Sequence, residues 1–217
     1  MVDYKYFLAG FISLLIFMVG IQTGLLLSNE KVRLFENEVQ SVRNHVDSLE
    51  LEFLFIDVFG KELSCEYLNN QVILVGNEAD RMGALLSSYD ASRKLDEPIN
   101  TTKEDYMSVL IREWLYFEKV KGACHTNATT VVYFYSNNAC PDCREQGVVL
   151  TYFKQSMKDK LMVFPIDLNV NLPIIQSLRG TFGIAEVPTI VVNGVKYPGF
   201  VDKDRLGSIL TNTTANP

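Results

Sequence analysis

Residues 7–28, FLAGFISLLIFMVGIQTGLLLS, carry no charge, and Gln22 is their one strongly polar side chain. At a rise of ~1.5 Å per residue, a helix over this run crosses the ~30 Å apolar core of a bilayer. An apolar series follows at Val32, Phe35, Val39, Val42, Val46, Leu49, Phe53 and Ile56, with charged residues such as Glu36, Arg43, Asp47 and Glu50 between. Steps alternating between three and four make a heptad repeat, so the helix is predicted to continue past the apolar run. The stripe over 32–56 has two readings: a coiled-coil homodimer interface, or a face that packs on helices of its own chain. Two further helical segments are predicted at 70–95 and 103–124, with a break at Pro98 and Thr102 as candidate N-cap. Three helices with short connections read as an up-down-up bundle over 29–125. In that topology Cys65, beyond the top of the first helix, and Cys124, at the end of the third, reach the same membrane-distal end. A Cys65–Cys124 disulfide fits this arrangement; two buried free thiols are the alternative.

From residue 129 the pattern changes. TTVVYFYS (129–136) is β-branched and aromatic, as a strand requires. A helix is predicted over 144–160. LMVFPIDL (161–168) reads as a second strand, with Pro165 pointing to an edge. A second helix follows over 172–184. VPTIVV (187–192) and VKYPGF (195–200) flank Asn193-Gly194, a strong hairpin signal. DKDRLGSIL (202–210) closes as a helix with Asp202 as candidate N-cap, and 212–217 reads as a disordered tail. The order is β-α-β-α-β-β-α, an α/β domain over 129–211.

Totals narrow the function classes. The 217 residues hold 26 acidic against 20 basic side chains, a formal charge of -6, with no basic run, so no nucleic-acid partner is expected. Four cysteines are too few for a disulfide scaffold. The apolar N-terminus reads as a cleaved signal peptide or as a retained anchor. Its length, and the lack of a small-x-small site closing it, favour an anchor over residues 1–28. Counting Lys5 against Lys31, Arg33 and Arg43 points to a cytoplasmic body. Sequons at Asn100, Asn127 and Asn212 and the further cysteines point outward. The expectation is a single-pass membrane protein with an extracytoplasmic C-terminal domain, where oxidised cysteine pairs persist.

The stretch NNACPDCR (137–144) holds the candidate chemistry. Cys140 falls at the start of a helix, where unpaired N–H groups and the helix dipole stabilise a thiolate. Pro141 suits the first turn. Cys143, three positions on, shares its face and can close a disulfide. A zinc site would need Cys124 and His125 as further ligands, at a spacing unusual for zinc. Residues 129–211, about two-fifths of the chain, resemble the thioredoxin superfamily at two separated motifs: Cys140-Pro141-Asp142-Cys143 after an apolar strand, and FGIAEVPTIVV (182–192). The bundle segment resembles no family.

The resemblance implies a thioredoxin-like fold, Cys140 as attacking thiol, Cys143 as resolving thiol, and a cis Pro188 that holds Val187 as a backbone platform for substrate. Pro141 and Asp142, between the cysteines, are expected to tune the redox poise. Two departures stand out. Phe134 occupies the position of the family's buried acid, with Glu186 a substitute only by its place in sequence, and Ala139 replaces a tryptophan. The chain therefore reads as a membrane-anchored thiol–disulfide oxidoreductase that acts on protein thiols and disulfides with an electron donor or acceptor of unknown identity and no dissociable cofactor. The alternative is a membrane-tethered, redox-inactive thioredoxin-fold module that serves as a docking or assembly surface.

Overall fold

A computed structural model of the chain describes residues 4–59, 65–90 and 97–215. The chain divides into two compact units, Met1–Glu38 and Val39–Pro217. The first consists of the N-terminal part of helix α1 (Tyr4–Phe59). Tyr6–Gly24 is long and apolar enough to cross a membrane, with mean hydropathy 1.9 and no residue buried within the protein. Phe7, Phe11, Ile16 and Phe17 are among its exposed apolar side chains.

The second unit contains the rest of α1, then α2 (Cys65–Asp90), α3 (Glu97–Cys124), and the mixed domain. Helix α3 begins at Glu97, so Thr102 lies inside it and is not its N-cap. Pro98 falls in the first turn, where a missing N–H costs no hydrogen bond, and it starts this helix rather than breaking the chain. Of the heptad stripe, Val46 has a described side chain and is fully buried; Val32, Phe35, Val39, Val42, Leu49, Phe53 and Ile56 lie outside the described side chains. Around Val46, α1 pairs with α3 through Arg43–Asp105 and Asp47–Arg112 (2.9 Å). These pairs are partly exposed and worth little energy, but they fix which face of α1 meets its own chain.

The mixed domain follows as β1 (Thr129–Tyr135), α4 (Pro141–Met157) with a 3-10 turn at Lys158–Lys160, β2 (Leu161–Asp167), α5 (Pro173–Thr181), β3 (Thr189–Val192), β4 (Val195–Pro198) and α6 (Lys203–Ala215). The sheet order is β2-β1-β3-β4, with β1 parallel to β2 and antiparallel to β3. Pro165 lies on edge strand β2, where the donor it lacks is not needed. Asn193 (φ 44°) and Gly194 (φ 84°) make the β3–β4 turn with both residues left-handed, the geometry that matches strand twist. Asp202 caps α6, its Oδ1 accepting from Arg205 N at 2.9 Å. Helix α6 continues to Ala215, so 212–215 are helical rather than a tail; Thr211 and Thr213 satisfy their hydroxyls on the carbonyls of Gly207 and Ile209. Asn216 and Pro217 lie outside the described residues.

Alternation along β1 builds two apolar layers. Val131 and Tyr133 join Leu161, Ile190 and Val192 beneath Leu150 of α4 and Leu206 and Leu210 of α6. Val132 and Phe134 lie on the opposite face with their register partners Phe164 and Ile166. Helix α3 covers that second face. Phe117 packs on Phe164 (6.1 Å between ring centroids), and Trp114 packs on Phe182 (6.0 Å), which in turn meets Phe134 (5.9 Å). Trp114 is therefore core. Helix α2 comes close at Gly76, where a Cβ would stand 2.8 Å from Met162 Cε. The helices and the sheet share one packed unit.

Candidate redox site

Three strand ends converge to make the site. Tyr135 ends β1 and pairs with Asp167 at the end of β2. Phe134 pairs with Thr189 at the start of β3, so Pro188, one residue earlier, lies at the same end of the sheet. That end delivers the loop 136–140 into α4.

Cys140 is the N-cap of α4, with non-helical backbone angles (φ -126°, ψ 84°), and Pro141 takes the first helical position. The helix thus opens at Pro141, as expected for Cys140 and Pro141, and takes in the three residues before the 144–160 stretch, because proline pre-sets the helical φ. Cys140 and Cys143 are disulfide-bonded, Cα to Cα 5.4 Å. Cys143 is buried and Cys140 half-buried. Cys143 N donates to Cys140 O at 3.3 Å, so the first turn itself holds the pair in register. Asp142 sits exposed in that turn. Ala139, just before the cysteine, adopts φ 52°, a left-handed conformation that costs a non-glycine residue about 1–2 kcal/mol. The surrounding fastenings hold it there.

Those fastenings are polar. Ser136 Oγ accepts from Asn138 N (3.0 Å) and lies 2.5 Å from Asn169 Oδ1. Asn137 Nδ2 donates to Asp167 Oδ2 at 3.0 Å. Asp167, fully buried, also accepts from Asn169 N (2.9 Å) and pairs with Lys103 of α3 at 2.6 Å. Tyr133 donates to Cys143 O. Burial, and then the charge of Asp167, push the Tyr133 hydroxyl above its ordinary pKa, so it remains a donor. One turn past Cys143, buried Gln146 clamps the chain after β4, accepting from Val201 N (2.8 Å) and donating to Val201 O (3.2 Å).

The Val187–Pro188 peptide is cis. Pro188 is buried and Val187 half-buried. Glu186 is exposed, and its backbone O accepts from Thr189 Oγ1 at 2.7 Å. Phe134, at the position of the family's acid, is fully buried against Phe182. A carboxylate there would face the Trp114–Phe182 cluster, and the apolar packing of α3 explains the exchange. Cys65 and Cys124, at the starts and ends of α2 and α3, are bonded to each other with Cα atoms 5.5 Å apart. They form a second disulfide, distinct from the Cys140–Cys143 pair.

The sequence reading missed Asp167, Lys103, Asn137 and Gln146. Asp167 carried a faint signal, an acid closing an apolar strand in FPID. Lys103 carried none, since its partner is set by tertiary packing.

No protein-family model and no curated protein matches the chain. Solved structures similar to part of it include chloroplastic thioredoxin z, at 20% identity over 46% of this chain and 90% of that one, TM-score 0.37. Thioredoxin O2 from Arabidopsis thaliana in its oxidised state is 21% identical over 46% of this chain and 86% of its own, TM-score 0.35. The germline-specific thioredoxin Deadhead from Drosophila melanogaster is 17% identical over 46% and 92%, TM-score 0.34. These likenesses are partial, and the assignment rests on the chain's own geometry. Strand order, the Cys140–Cys143 pair opening α4 and the cis proline before β3 make the mixed domain thioredoxin-like.

Proposed function

We propose that the chain is a membrane-anchored thiol–disulfide oxidoreductase that acts on protein thiols and disulfides. One juxtaposition carries the reading: a cysteine pair bonded across the first turn of α4, at the sheet end that also bears Val187 and cis-Pro188. Reduced, Cys140 attacks a substrate disulfide as thiolate. A Cys140–substrate S–S bond forms as the substrate's own S–S bond breaks and one substrate thiolate leaves. Cys143, deprotonated, then attacks Cys140 Sγ, re-forming the internal disulfide and releasing the second thiolate. Two electrons pass to the substrate, whose thiolates take up the two protons lost by the cysteines. The reverse sequence oxidises a substrate dithiol. The helix N-terminus stabilises the Cys140 thiolate in both directions. The backbone of Val187 pairs with the extended substrate beside the sulfurs. The apolar helix over Tyr6–Gly24 serves as the retained anchor, with the redox domain on the extracytoplasmic side.

Trapping tests the reading. A Cys143→Ala variant lacks the resolving thiol, so Cys140 should accumulate mixed disulfides that mass spectrometry identifies. If no protein is linked to Cys140, and Cys140→Ser keeps the wild-type partners and phenotype, the domain is a docking module instead.

A further inference from the structure

The buried pair between Lys103 and Asp167 is unusual in its placement. Both residues are almost fully buried, 5% and 0% exposed, and their charged atoms lie 2.6 Å apart. A buried ion pair is poor value for stability, because desolvation of both charges offsets their attraction, and apolar residues of similar volume often do as well. This one holds Asn137, three positions before Cys140 in the chain. Asp167 ends β2 opposite Tyr135, the last residue before the redox loop. Its Oδ2 holds Asn137 Nδ2 at 3.0 Å and its Oδ1 holds Asn169 N at 2.9 Å. Asn169 Oδ1 meets Ser136. Ser136, through Asn169, and Asn137, directly, are therefore fastened to a carboxylate that a helix outside the thioredoxin-like domain holds in place.

The electrostatics run along the same line. Asp167 acts on the hydroxyl of Tyr133, and that hydroxyl is bonded to the carbonyl of Cys143. Lys103 is the ion-pair partner of this carboxylate. With the lysine absent, an uncompensated negative charge would stand beside the loop that presents Cys140, and the anchor of Asn137 would be free to shift.

From this geometry we infer that Lys103 is a positioning residue of the redox site, acting through Asp167 and Asn137 to fix the Cys140 loop and favour its thiolate. Helix α3 then belongs to the redox machinery. The inference rests on the oxidoreductase reading and adds a regulator of the same site: the packing of α3 on the sheet sets the poise of the cysteine pair.

The test uses the full-length protein in detergent, equilibrated with reduced and oxidised glutathione, and iodoacetamide alkylation of Cys140 across pH. Lys103→Met should shift the equilibrium toward the disulfide by about tenfold, or ~30 mV for this two-electron couple. It should also move the alkylation midpoint to higher pH. Lys103→Arg, which keeps the charge, should restore both values. Asn137→Ala cuts the link while leaving the ion pair intact and should shift both values the same way by about threefold; if Lys103→Met does not fold, this exposed substitution decides alone. Arg112→Met, which removes a surface pair on the same helix, should change neither. Unchanged values in the folded Lys103→Met or in Asn137→Ala overturn the inference, as does an equal shift in Arg112→Met, which would mean general loosening of α3. A wild type that catalyses no protein thiol–disulfide exchange sinks the oxidoreductase reading instead; the glutathione equilibrium still measures what Lys103 does to the pair.

Discussion

Asp142 is exposed in the first turn of α4, between the two cysteines. Its carboxylate repels a thiolate on Cys140, while the helix N-terminus attracts one, so the two effects partly cancel. Asp142→His should therefore lower the pKa of Cys140 and make the pair more oxidising. Titration of both proteins against glutathione measures this; a tenfold change in the equilibrium corresponds to ~30 mV. An unchanged or more negative potential would mean that solvent screens Asp142. A second residue-scale prediction concerns Glu113 of α3, 2% exposed, with no hydrogen-bond partner on Oε2 among the described residues. Burial, then Asp80 of α2, raise its pKa from 4.5 to about 8, against the opposing pull of Lys154 of α4. The folded protein thus binds this proton more tightly than the unfolded chain. The contribution to stability is full below pH 4.5 and is lost as pH rises toward about 8. The stability measured by urea unfolding should fall across that window by on the order of 5 kcal/mol, and Glu113→Gln should remove most of the fall. A variant with the same pH dependence as wild type would assign the effect elsewhere.

At the scale of elements, local chemistry was legible and tertiary placement was not. Pro141, Asn193-Gly194 and Asp202 each announce a structure that the residue itself enforces: a helix start, a left-handed turn and a cap. Pro98 was misread because a proline breaks a helix in its interior and starts one in its first turn. The Cys140–Cys143 motif and the Val187-Pro188 motif were readable through their resemblance to the thioredoxin superfamily. Phe134 registered only as a missing acid, because the aromatic cluster that demands it comes from α3 and α5–β3. The Lys103–Asp167 pair left no local mark. The bridge between α2 and α3 carries its own prediction. Cys65 and Cys124 are 59 positions apart, a loop whose closure stabilises by on the order of 4 kcal/mol in the chain-entropy account. Non-reducing peptide mapping should find that cross-link, and replacing both cysteines by serine should lower the thermal midpoint. Cys65 linked to Cys140 instead would turn this bridge into a relay.

On the scale of the whole molecule, an apolar helix, a helical bundle and a thioredoxin-like sheet meet in one chain, and α3 closes the sheet face over Phe134 and Phe164. Deleting residues 1–28 should give a protein that partitions into the aqueous phase of a detergent separation; the full chain should enter the detergent phase. A thiol reagent that cannot cross membranes should label reduced Cys140 in intact cells, and labelling only after lysis would place the domain in the cytoplasm. The central claim is that Cys140 and Cys143 pass electrons between proteins, and catalysed reduction of a protein disulfide by excess dithiol tests it most directly. The account predicts multiple turnovers by the wild type and a fall to the uncatalysed rate in Cys140→Ser. Equal rates in the two proteins would contradict it.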